Sequence, residues 1–274
     1  MDYDTLLHWF RTPRPLVTVL RLYGIIGRGG ALRHGMTLAA LAADIDRAFE
    51  PRHLSAVALA ISSPGGAPVQ SSLIAGRIRQ RAAERKVPVL AFVEDVAASG
   101  GYWLACAADE IFVDESSVVG SIGVVSAGFG LHELIARHGI ERRVHTEGKH
   151  KSLLDPFRPE EPEDVARLKA LQGDIFTAFK AQVRGRRGPR LTAGEEDLFT
   201  GDIWAGRRAV ELGLADGIGE LRGTCRARFG DKMRLRVING ERRGWLRRRL
   251  GLDSLAAESL AAIEERLAWG RYGL

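Results

Sequence analysis

A chain of 274 residues, 45% hydrophobic and 27% charged, has the composition of a globular protein that buries its core without disulfide or metal staples. The net charge of +6 gathers in arginine clusters at 184–190 and 242–249 with no interleaved aromatic motif, which argues against a nucleic-acid-binding function. Two cysteines, Cys106 and Cys225, exclude a disulfide framework and a cysteine metal site, and no run of about 20 apolar residues offers a bilayer span.

The first residues, 1–14, include Asp2, Asp4, His8 and Arg11 and lack the basic and apolar regions of a signal peptide. Their short apolar run, Leu6–Phe10, reads as a packing arm. Leu16–Ile26 is aliphatic and β-branched and predicts a strand, ended by Gly27, Gly29 and Gly30. Thr37 is placed to cap a helix through Phe49, with Leu38, Leu41, Ile45 and Phe49 on one face. Leu54–Ile61 is an almost unbroken apolar run, which predicts a strand covered on both faces. After the loop Ser62-Ser63-Pro64-Gly65-Gly66, a helix is expected over Val69–Arg85 and a strand over Val87–Val93.

Ser99 then opens a helix of small residues. Glu110–Asp114 predicts a short strand, Val118–Ser126 a segment containing Gly120-Ser121-Ile122-Gly123-Val124, Leu131–His138 a helix and Arg142–Thr146 a strand. Glu160–Arg184 is a long amphipathic helix pattern, followed by a basic break with Pro189 and a helix near Gly206–Leu212. Met233–Ile238 alternates like a strand, and Leu255, Leu260, Ile263 and Leu267 mark a final helix in a basic tail. The alternation predicts an α/β fold: mostly parallel strands covered by helices, right-handed crossovers and reactive loops at the strands' carboxyl ends. The expected division is an arm at 1–14, one catalytic domain at 15–239 and a basic amphipathic helical extension at 240–274.

The chemistry centres on Ala98-Ser99-Gly100-Gly101-Tyr102, where a strand hands over to a helix. Such a turn presents a hydroxyl beside the unpaired N–H groups of a helix start. A serine there is also an ordinary helix cap. To act as a nucleophile it needs a base. The seven histidines stand in no recognisable triad context, which turns attention to a lysine neutralised by burial. Of the six lysines, Lys149 and Lys151 are the best placed, and spacing does not choose between them.

Taken together, Ser63-Pro64-Gly65-Gly66, Ala98-Ser99-Gly100-Gly101-Tyr102, Gly120-Ser121-Ile122-Gly123-Val124, Gly148-Lys149-His150-Lys151-Ser152 with Asp155-Pro156-Phe157, and Gly213-Leu214-Ala215-Asp216 resemble the signal peptide peptidase A family, in the family's order. These are Ser/Lys serine peptidases with a fold similar to Clp protease and crotonase, a superhelix of repeated β-β-α units. The resemblance implies Ser99 as nucleophile, Lys151 as general base and Ser121 as the residue orienting that lysine. It implies Gly65, Gly66 and Gly100 as backbone donors of an oxyanion hole, and no cofactor or metal. It further implies a peptide substrate, short and apolar like the remnant of a signal peptide, and a ring- or dome-shaped homo-oligomer whose subunits share sites. The expected location is cytoplasmic, with peripheral contact at the inner membrane surface through the arm and the basic tail. The competing expectations are an inactive scaffold of the same fold and a crotonase-like acyl-CoA enzyme, which would have no use for a Ser99–Lys151 pair.

Overall fold

The computed structural model describes residues 14–27, 35–238 and 272. The expected arm and nearly all of the basic tail lie outside these residues. A mostly parallel sheet is built around β1 (Leu16–Tyr23), β2 (Leu54–Ser63) and β3 (Val89–Ala98). β8 (Arg234–Ile238) pairs with the other side of β1. β3 pairs through its first half with β4 (Glu110–Val113) and through its second half with β5 (Val118–Gly120). β7 (Gly217–Ile218) continues from β4, and β6 (Ile203–Ala205) closes against β5 as the antiparallel pair.

Period-two alternation sorts the helices onto the two faces. On one face of β1, Thr18 donates to Ala48 O at 2.7 Å, which fixes α1 (Leu38–Phe49) there. Thr37 caps that helix, accepting from Ala40 N–H, and α1 buries Ile45, Ala48 and Phe49. α2 (Pro68–Arg85) begins with a proline in its first turn, ends on Lys86 in the left-handed region and buries Ile74, Ala75, Ile78 and Ala82. On the other face Val17, Val19, Ala56, Ala58, Ala60, Leu90 and Phe92 form one cluster with Cys225 of α8 (Leu221–Phe229). Phe92 and Phe112 stack there at 5.3 Å. Val57–Ile61 are at most 2% exposed, which is the two-sided burial that the apolar run of β2 predicts.

β3 runs five residues past its expected end at Val93. Ile61 pairs with Val93 but Ser63 pairs with Ala97, so β3 carries extra residues opposite Ser62. This irregularity turns Glu94 and Asp95 out to solvent, and the strand then resumes against β5. Ser62 donates to Asp95 at 2.9 Å and ties down the bulge. Conversely, Arg142–Thr146 forms no ladder among the described residues. Helix α8 and the two- and three-residue strands β7 and β6 were not anticipated, being too short or too charged to show a period.

Gly123–Ala181 forms a compact unit of its own, and the described residues up to Ile122 and from Gln182 form the other. The smaller unit holds α4 (His132–Arg137) and most of α5 (Pro162–Arg187). Leu131 N–H donates to Pro156 O at 2.6 Å, and Arg142 both pairs with Asp155 at 2.8 Å and lies over the Phe157 ring. Phe179 is the one buried residue of this unit, while Val125 and Phe129 are 73% and 84% exposed.

Candidate active site

The turn from β3 into α3 (Gly100–Ala105) puts Ser99 at φ 51° and ψ −120°, a region that a residue with a Cβ rarely adopts. Two backbone bonds hold it: Ser99 N–H donates to Gly120 O at 2.8 Å, and Ser99 O accepts from Trp103 N–H at 3.0 Å. The Ser99 hydroxyl makes no cap hydrogen bond to α3, so the helix-cap role available to this serine is not the one it plays. Serine sits half-buried on a strained strand-to-helix turn, the geometry that exposes a hydroxyl in nucleophile elbows of unrelated hydrolases.

Three backbones converge on that turn. Gly65 has φ 101°, and a Cβ there would lie 2.8 Å from Ser99 Cβ. Gly66 has φ 143°, and its Cβ would meet Ile26 O at 2.0 Å. A Cβ on Gly100 would lie 2.4 Å from Ser71 Oγ, and one on Gly101 would lie 2.4 Å from Ser63 O. Glycine is therefore required because the backbone packs directly against neighbouring backbone at Gly66 and Gly101 and against the Ser99 and Ser71 side chains at Gly65 and Gly100. Gly65 N–H donates to Ser63 Oγ at 3.2 Å, and Ser63 in turn donates to Gly24 O at 2.7 Å. Gly66 N–H has no acceptor among the described residues. Gly100 N–H, at the first position of α3, is one of the donors that a helix start leaves unpaired.

Ser121 follows Gly120 in a turn with φ 51°, its N–H donating to Asp202 O at 2.6 Å. A Cβ on Gly120 would strike the Trp204 ring at 2.6 Å, so β6 fixes the turn from one side and Ser99 N–H from the other. The larger unit thus brings together Ser99, Gly65, Gly66, Gly100 and the Ser121 turn. Lys151 belongs to the smaller unit, in a turn where its N–H donates to Gly148 O at 3.1 Å. Its side chain is exposed and has no carboxylate partner among the described residues. Lys149 lies 4.0 Å from Glu163 and, with His150, Phe129 and His132, lines a cavity of about 890 Å³ within that unit. Burial pushes the Cys106 thiol up to about 12, which leaves it inert at the carbonyl end of α3. No group of three or more potential metal ligands occurs among the described residues.

Sequence reasoning passed over the groups that hold α3. Arg79 donates to Ala107 O at 3.2 Å, and Arg186 to Cys106 O at 2.9 Å and Ala108 O at 2.8 Å, so two guanidinium groups cap the carbonyl end. Arg79 falls in the expected helix Val69–Arg85 and Arg186 in the basic cluster at 184–190, and neither position carries a motif that marks it.

Residues 81–228 match the family model for peptidase family S49. The chain is 48% identical to part of a Brucella abortus protein named Na(+)/H(+) antiporter NhaA, a match covering 97% of this chain and 38% of that protein. The chain thus spans well under half the length of that relative, and no described helix is long and apolar enough to cross a membrane. A Synechocystis protein named as a protease is 30% identical over 89% of both chains. The chloroplastic serine protease SPPA of Arabidopsis thaliana is 32% identical over 76% of this chain and 31% of its own length. Among solved structures, the S97A mutant of the 1510-N membrane-bound stomatin-specific protease superposes with a TM-score of 0.53 at 15% identity, covering 83% of this chain and 99% of that one, a likeness of fold. With more than half of its length inside the family model and the Synechocystis protease matched almost end to end, the chain belongs to peptidase family S49, a family of serine-type peptidases.

Proposed function

We propose that this chain is an endopeptidase in which Ser99 is the nucleophile and Lys151 the general base. Neutral Lys151 removes the Ser99 proton as Ser99 Oγ attacks a peptide carbonyl. The C–N bond then breaks, the amine leaves with that proton, and water hydrolyses the acyl-enzyme. Gly66 and Gly100 N–H are the oxyanion donors. Gly65 has a different part, because its N–H is engaged by Ser63 and its missing side chain makes room for Ser99. Ser121 orients the lysine. The observation that carries this reading is the strained Ser99 turn, whose hydroxyl has no hydrogen-bond partner among the described residues and lies among glycines with two amides open.

The substrate class that fits is short apolar peptides such as signal-peptide remnants, as the family resemblance implies. A base lysine must lose its proton, which desolvation favours. Lys151 is exposed in the single chain, and its unit displays apolar side chains with almost no core of its own. Both observations favour a homo-oligomer in which a neighbouring copy covers that unit. Peripheral membrane contact belongs to the same reading and rests on the apolar run Leu6–Phe10 and the arginine cluster at 242–249.

The test is labelling with a fluorophosphonate together with cleavage of an apolar peptide. The expected result is an adduct on Ser99 that is absent from Ser99→Ala and forms at least about 100-fold more slowly in Lys151→Ala. A folded wild-type protein with neither labelling nor cleavage would overturn the proposal in favour of a scaffold.

A further inference from the structure

Helix α3 has six residues, too few to hold its own position, yet it carries the strained turn at Ser99. Backbone strain of this kind persists only where the surroundings over-determine it. Beyond the arginine caps on its carbonyl end, one side chain of α3 reaches far across the chain. Tyr102, fully buried and one turn from Ser99, donates to Leu214 O at 2.8 Å.

The acceptor is itself held in place. Buried Arg187, in the last turn of α5, donates twice to Gly213 O, at 3.0 and 2.7 Å, and pairs with Asp216 at 2.6 Å. Asp216 also accepts from Ile111 N–H at 2.7 Å, and Asp216 N–H returns a bond to Ile111 O at 2.7 Å. Gly213 has φ 75°, and a Cβ there would meet Arg190 O at 1.8 Å, so the loop has no freedom to drift. The buried Arg187 guanidinium and its carboxylate partner Asp216 thus lock residues 213–216 between β4 and the end of α5, and Leu214 O receives the one hydroxyl that comes from α3.

We propose that Tyr102 and the Arg187–Asp216 pair are positioning residues for Ser99, with Gly213–Asp216 as a fixed bracket for α3. The proposal rests on the reading of Ser99 as nucleophile. Without the Tyr102 bond, α3 can roll on its short axis. The hydroxyl then moves relative to the Gly66 and Gly100 amides, and small misplacements of reacting groups cost large factors in rate. Tyr102→Phe removes the hydroxyl and keeps the apolar ring, so it isolates the bond to Leu214 O.

The full chain is compared as wild type, Tyr102→Phe, Arg187→Lys and Ser99→Ala. The measurements are the saturating labelling rate and half-saturating concentration for a fluorophosphonate, well below the thermal midpoint and normalised to folded protein. Positioning predicts that Tyr102→Phe lowers the saturating rate at least about tenfold with the half-saturating concentration unchanged. Arg187→Lys, which keeps the charge and loses the fork, moves the same way. A purely structural role shifts the midpoint and leaves the saturating rate of folded protein intact in both variants, and that outcome overturns the proposal. If Tyr102→Phe fails to fold, Arg187→Lys alone decides. Wild-type protein that takes no label at Ser99 overturns the nucleophile reading itself, a different failure from a wild type that labels and variants that match it.

Discussion

At Ser99 the proposed nucleophile role and stability pull against each other. The backbone region at φ 51° and ψ −120° costs a residue with a Cβ on the order of 1–3 kcal/mol. A glycine there escapes that strain and loses about 0.5–1 kcal/mol through a freer unfolded chain. Ser99→Gly is therefore expected to be more stable than Ser99→Ala by about 1 kcal/mol, read from urea denaturation midpoints, with both variants inactive. Gly66 presents the opposite case. A Cβ pointing into Ile26 O at 2.0 Å has no accommodation short of moving the segment that follows β1, so Gly66→Ala is expected to lose labelling and lower the thermal midpoint together. These residues were legible in the sequence because glycine leaves a mark wherever backbone must approach backbone. Spacing did not choose between Lys149 and Lys151, since a base is selected by what approaches it in space, and only the family resemblance put Lys151 forward as the proposed base.

At the level of elements, the long buried strands announced themselves, because covering both faces forces an unbroken apolar run such as Leu54–Ile61. The end of β3 was misplaced because Glu94 and Asp95 look like a strand terminus and are in fact a bulge within one. Just past α3, Asp109 accepts from Val89 N–H at 2.9 Å and pairs with Arg79 at 2.8 Å and Arg186 at 3.1 Å. Partial burial works to raise its pKa, but the amide and the two guanidinium groups outweigh it and hold the carboxyl below its usual range. A carboxylate depressed on folding contributes stability that is fully present above its unfolded pKa of about 4 and is lost as pH falls through the lower folded value. Denaturant unfolding below pH of about 4 should therefore show an acid limb that Asp109→Asn flattens, with the pH profile above it unchanged in shape.

For the whole molecule, the decisive division is the one that leaves Ser99 and Lys151 in different compact units. Co-assembled Ser99→Ala and Lys151→Ala chains should recover peptide cleavage if a lysine from one copy serves a serine in another. Inactive mixtures in assemblies confirmed to contain both chains would sink that arrangement.

The near-absence of buried residues in Gly123–Ala181 has a bearing on when such an enzyme is active at all. A segment with so little interior opens easily, and its amide hydrogens should exchange with solvent quickly in dilute protein. In the proposed homo-oligomer, binding between copies should slow that exchange by mass action, while the amides of β1, β2 and β3 stay protected at every concentration. Cleavage per subunit should then fall on dilution. Newly made chains of the proposed oligomer would then stay latent until enough of them have met.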